Sequence, residues 1–144
     1  MKPKSVSGVS KRDLDCIEAV HSLSLSGWPA RVKDVAFRMK VTSPTALQFL
    51  GKLVEADLIE KGPSGYKLTV SGLEYFNGAT REHRIFETLL VRNGLPLEDA
   101  CEVSSSLTGK VNETVLENLC AHMSHPDKCP HGRPIPGGTT HVRP

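Results

Sequence analysis

Residues 31–72 read RVKDVAFRMKVTSPTALQFLGKLVEADLIEKGPSGYKLTVSG, and the order of elements in this stretch decides the fold. From Arg31 to Lys40, the residues Val32, Val35, Ala36 and Met39 recur near the 3.6-residue period of a short amphipathic helix. Val41-Thr42-Ser43-Pro44 then breaks that helix and opens another. Ser43 is placed to act as N-cap and Pro44 as the first helical residue, where a missing N–H is harmless. This helix is expected to run to about Asp57 and to bury Ala46, Leu47, Leu50, Leu53 and Val54. Two short strands, Leu58 to Lys61 and Tyr66 to Thr69, flank the turn Gly62-Pro63-Ser64-Gly65, which is a hairpin signal.

Upstream, a loose basic tail (MKPKSVSGVS) leads into a helix from Lys11 carrying Leu14, Ile17, Val20, His21, Leu23 and Leu25, stopped by Ser26-Gly27. Downstream, a long helix starts between Thr69 and Gly72 and runs to about Val91, with Asn93-Gly94 ending it. Helices over Leu97–Leu107 and Asn112–Met123 follow, the second capped by Asn112. From Ser124 the chain reads SHPDKCPHGRPIPGGTTHVRP, too rich in Pro and Gly for a regular helix or strand, and is expected to be an extended tail. The order α-α-α-β-β describes a winged helix-turn-helix over residues 1–72. A helical region with a Pro/Gly-rich tail fills 73–144. The fold class is therefore mainly α with a small β-hairpin wing. The apolar positions after Gly72 exceed what a chain of this size buries alone, which points to a homodimer.

In such a module the third helix enters the major groove of double-stranded DNA and presents its N-terminal residues to base edges. Here these are Thr42, Ser43, Pro44, Thr45 and Gln48, with Arg31, Lys33, Lys52, Lys61 and Lys67 around them to meet phosphates. The same residues also suit an ordinary solvated surface; the full helix–hairpin order favours DNA. A formal net charge of +2 proves no nucleic-acid partner by itself. The 38% hydrophobic and 24% charged fractions exclude wholesale disorder, and aromatics at 5% imply an aliphatic core. No signal peptide opens the chain and no apolar run reaches the ~20 residues of a membrane span, so a cytoplasmic location with no membrane partner is expected. Four cysteines without a CxxC read as reduced thiols.

The run quoted above and CPHGRPIPG near the end of the chain (Cys129 to Gly137) resemble the diphtheria toxin repressor and manganese transport regulator family, over roughly Lys11 to Gly137. The resemblance implies a homodimer that binds a palindromic operator when a divalent metal, Fe2+ or Mn2+, is bound. The chain ends too soon for the SH3-type domain that some members add. Asp15 and Glu18 match the manganese branch's ligands on the first helix. His83 and Glu87 match the family's histidine and glutamate four apart, and Cys101 matches a position that is Cys in the iron branch. Where the family carries a Glu-His pair after that cysteine, this chain has Ser104 and Ser105, and the family's nearby histidine falls on Leu97. A thiolate among the ligands shifts preference toward softer metals. Each of these residues also has a plainer reading: a solvated helix start, an i,i+4 surface pair, a small core thiol.

A second group, Cys120, His122, His125, Cys129, His131 and His141, has spacings able to build a zinc site, although a rigid proline-flanked turn explains Cys129 and His131 as well. Rival functions are a regulator of the same fold that has lost metal sensing and responds to redox state through Cys16 and Cys101, and a protein-interaction module. An enzyme is not expected, because no nucleophile–base pairing, phosphate-binding glycine loop or HExxH is present.

Overall fold

The computed structural model describes residues 9–27 and 29–137. They form helices α1 (Lys11–Leu25), α2 (Val32–Met39) and α3 (Ser43–Glu55), strands β1 (Ile59–Gly62) and β2 (Gly65–Leu68), and helices α4 (Val70–Arg92), α5 (Leu97–Leu107) and α6 (Glu113–His122). This is the mainly helical class with a hairpin wing that the sequence leads one to expect. No helix among the described residues is long and apolar enough to cross a membrane. The chain folds as two compact units, Met1–Phe76 and Asn77–Pro144.

In the first unit, α1 starts at a capping box: Ser10 Oγ accepts from the Asp13 backbone N–H while Asp13 accepts from the Ser10 N–H. One face of α1, built from Cys16, Ile17 and Val20, packs with Val35 and Met39 of α2, with Ala46, Leu50 and Leu53 of α3, and with Ile59 and Tyr66 of the hairpin. α2 ends on Lys40 in the left-handed conformation, φ 57°. α3 begins one residue earlier than the sequence suggests. Thr42, not Ser43, is the N-cap, its hydroxyl accepting from the Thr45 N–H at 3.4 Å. The strands pair antiparallel in the register Ile59↔Leu68 to Gly62↔Gly65, and the Tyr66 N–H also donates to the Ala30 carbonyl at 2.9 Å.

Two expectations for α3 fail. Leu47 is 50% exposed and Val54 39% exposed rather than buried. The core stripe of α3 is the i, i+4, i+7 set Ala46, Leu50 and Leu53, and Leu47 and Val54 each lie one residue, about 100°, beyond it.

In the second unit, Ile85 of α4 packs with Leu116, Cys120 and Met123, supported by Phe86, Leu89, Leu119 and Ile135. Ile135 belongs to the segment expected to trail as an extended tail. Its described part, residues 124–137, is instead folded onto the helices. Its backbone closes on itself, with Cys129 N–H to Arg133 O, Gly132 N–H to Cys129 O and Ile135 N–H to Asp127 O. The Arg84 guanidinium donates to the Pro134 carbonyl, and Cys129 is buried. Proline forbids helix and sheet interior here, but it does not forbid a tight turn that buries apolar side chains.

Candidate functional site

α4 sets His83 and Glu87 one turn apart on the same face, and α5 brings Cys101 against them. The side chain of Glu87 is 1% exposed. Its Oε2 lies 3.1 Å from His83 Nε2, and Cys101 Sγ lies 3.7 Å from the same nitrogen. One ligand atom from each residue falls within 4.8 Å of the others. Bonds of about 2.0–2.3 Å place tetrahedral donors roughly 3.3–3.8 Å apart, so the three need to draw in by no more than about an ångström to hold a divalent ion. A buried carboxylate with imidazole and thiol beside it is a donor set that fits such an ion chemically.

The other oxygen of Glu87 serves a second cluster. His131 Nδ1 lies 2.7 Å from Glu87 Oε1, and Glu87, Cys129 and His131 again offer donors within 4.8 Å of one another. Sequence reading placed Cys129 and His131 in a group with Cys120, His122 and His125, but the structure divides that group. Cys120 Sγ pairs with His125 Nδ1 at 3.6 Å, and the His122 ring donates to the Asn118 carbonyl at 2.8 Å. His141 lies outside the described residues. The available signal was the tight CPH triplet, but its partner is a residue 44 positions away in α4.

The two serines after Cys101 differ in their surroundings. The Ser105 hydroxyl donates to the Cys101 carbonyl of its own helix at 3.0 Å. Ser104 is fully buried, and its hydroxyl has no hydrogen-bond partner among the described residues.

Asp15 and Glu18 belong to the first unit. Both line an open cleft of about 400 Å3 between α1 and the end of α2, with Arg12, Ser22, Arg38 and Lys40 also in its wall. Asp15 pairs with Arg12 at 3.4 Å. Beneath them, burial and the Asp13 and Asp15 carboxylates push the Cys16 thiol up to about 12. It therefore stays protonated and unreactive at neutral pH, which removes one of the two thiols on which a redox reading relied. Burial alone would raise Asp13, but hydrogen bonds from Lys52 and Ser10 outweigh it and hold its carboxyl below the usual range.

Among residues expected to face DNA, Thr42, Ser43, Pro44 and Gln48 are exposed at and beyond the N-terminal turn of α3, with Thr45 half-buried beside them. Arg31, at the N-cap of α2, and Lys33 are exposed. Lys67 of β2 pairs with Glu60 across the wing at 3.1 Å. Lys52 bonds Asp13 at 2.6 Å, so part of its work is to tie α3 to the start of α1.

A three-helix module with a hairpin wing, followed by a helical unit gathering imidazole, carboxylate and thiol donors, defines a metal-responsive transcriptional regulator of the winged-helix class. Residues 69–137, just under half of the chain, match a family model described as the iron dependent repressor metal binding and dimerisation domain, and the chain is similar to that family of regulators. Over 117 residues it is 29% identical to the transcriptional regulator MntR of Escherichia coli O157:H7, covering 79% of this chain and 76% of that one. A solved hypothetical protein of Sulfolobus solfataricus superposes with a TM-score of 0.80 at 27% identity, covering 89% of this chain and 99% of its own. ScaR crystallised with Cd2+ gives a TM-score of 0.74 at 30% identity, covering 89% of this chain but only 60% of ScaR.

Proposed function

We propose that this chain is a dimeric repressor whose grip on a palindromic operator in double-stranded DNA is set by a divalent metal at His83, Glu87 and Cys101, with residues 1–72 reading DNA and 73–144 dimerising. The observation that carries this reading is the convergence of those three donors, one of them a fully buried carboxylate, within 4.8 Å. Bound there, the metal supplies a fixed positive charge that makes the three side chains ligands of one centre. Glu87 provides the negative charge that anchors it, His83 the imidazole and Cys101 the thiolate. Exposed Leu97, Val103 and Val115 supply apolar surface for pairing two copies. Isologous pairing sets the spacing of the two α3 helices, which must match about one turn of DNA, ~34 Å.

Fe2+ and Mn2+ suit the carboxylate and imidazole donors, while the thiolate favours softer ions such as Zn2+. The test is metal analysis of protein purified without chelators or affinity-tag metal, followed by operator affinity with Mn2+, Fe2+ and Zn2+ in turn. Metal should strengthen operator binding in the parent and not in Glu87→Gln. Equal binding by both, with and without metal, would show a regulator that has lost metal sensing.

A further inference from the structure

The residues so far assigned to the α3 surface are mostly polar, yet the largest apolar side chain exposed on that helix is Leu47. It is not a core residue displaced from its place, because Ala46, Leu50 and Leu53 already fill the inner face. Pro44, three residues before it, is exposed. Gly51, four residues after it, is also exposed, and a Cβ built there would meet nothing within 4 Å. Among the described residues nothing requires glycine at 51, and what its bare backbone leaves room for lies outside them. Pro44, Leu47 and Gly51 form one apolar stripe beside Gln48 at helical spacing. The first turn of α3 has no acidic residue, and the same unit exposes Arg31, Lys33, Lys40, Lys61 and Lys67. A polyanion is the partner that this distribution suits.

The major groove offers one apolar feature among its hydrogen-bonding groups, the C5-methyl of thymine. We infer that Leu47 is a specificity-determining residue that receives a thymine methyl, flanked by Pro44, with Gly51 letting the groove wall come close. The inference rests on the DNA-binding reading above and deepens it. Polar side chains at 42, 43, 45 and 48 fix the helix by hydrogen bonds, whereas Leu47 discriminates by excluding water from one methyl. Such a contact is worth about fourfold in affinity, the transfer of one buried methylene-sized group.

The test removes that group alone. Duplexes are selected from a randomised pool with the full chain in the presence of Mn2+, Fe2+ or Zn2+, and the best is resynthesised with each thymine replaced in turn by uracil. At one thymine per half-site the replacement should weaken binding about fourfold. Leu47→Ala should weaken the thymine duplex by a similar factor and lose its sensitivity to uracil there, a coupling read directly from the double cycle. Val54→Ala, at the other end of the same helix, should keep it. Binding indifferent to uracil at every position, or an unchanged uracil effect in Leu47→Ala, overturns the inference while leaving DNA binding intact. So does a change in mass by light scattering for Leu47→Ala, which would make the stripe a protein contact. Failure of any duplex to enrich would sink the DNA-binding reading itself, and Leu47 with it.

Discussion

Asp13 is fully buried, yet its carboxylate is ionised by virtue of its neighbours: Lys52 Nζ at 2.6 Å, the Ser10 N–H at 2.8 Å and the Ser10 hydroxyl at 2.9 Å. Its folded-state pKa lies below the unfolded value, so the carboxylate stabilises the fold fully above the unfolded pKa and loses that contribution as pH falls through the folded one. Asp13→Ala is expected to cost about 1–3 kcal/mol at neutral pH, because it removes the ion pair that ties α3 to α1 and the carboxylate half of the capping box together. Denaturant titrations should show the gap between parent and variant closing in acid; a gap that stays constant down to pH 2 contradicts the account. The cysteines provide a second contrast. With Cys16 raised to about 12, only roughly one thiol in ten thousand is thiolate at pH 8. Iodoacetamide should leave Cys16 unlabelled until the protein unfolds, whereas half-exposed Cys101 labels in the folded state and is protected when Zn2+ is added. Labelling of Cys101 that is indifferent to metal would remove it from the ligand set.

The turn from the wing into α4 is held by Thr69, whose hydroxyl donates to the Asp57 carbonyl at 2.6 Å and accepts from the Gly72 N–H at 2.9 Å. Gly72 sits so close to the chain that a Cβ would fall 1.9 Å from the Leu58 carbonyl oxygen. Gly72→Ala must displace backbone rather than a flexible side chain, and a loss of about 3 kcal/mol or more is expected, read as a lower denaturation midpoint. A midpoint within a few tenths of a kilocalorie of the parent would mean that α4 starts differently. Elements of this kind were legible in the sequence where local chemistry settles them. α5 spans Leu97–Leu107 and α6 follows its Asn112 cap, as the sequence leads one to expect. The faces of α3 were legible only in part. A run with apolar residues at 46, 47, 50, 53 and 54 marks a helix, but which three meet the core depends on α1 and the hairpin. The pairing of Glu87 with Cys129 and His131 was out of reach, because no local pattern states that a proline-rich stretch folds back onto a helix made much earlier.

For the molecule as a whole, light scattering should give a mass close to twice the 15.7 kDa of one chain. A stable monomer at micromolar concentration would leave the exposed apolar residues of α5 and α6 without their proposed partner. Ligand linkage supplies a companion measurement. Saturating Zn2+ at about a hundredfold over its dissociation constant should stabilise the parent by roughly 2.7 kcal/mol, and Glu87→Gln should forfeit most of this. That carboxylate also imposes an order on the chain's own history. Glu87 leaves the ribosome 44 residues ahead of His131, the group that closes over its second oxygen. Throughout that interval the nascent chain can finish its DNA-reading unit but not the cluster that Glu87 forms with Cys129 and His131. Degradation runs the same logic backwards. A cut near the exposed Ser124 and His125, which carry φ of 61° and 50°, severs the stretch bearing Cys129 and His131 from α4. A single nick there would leave Cys129 and His131 held to Glu87 by non-covalent contacts alone, while His83, Glu87 and Cys101 stay on one piece of chain.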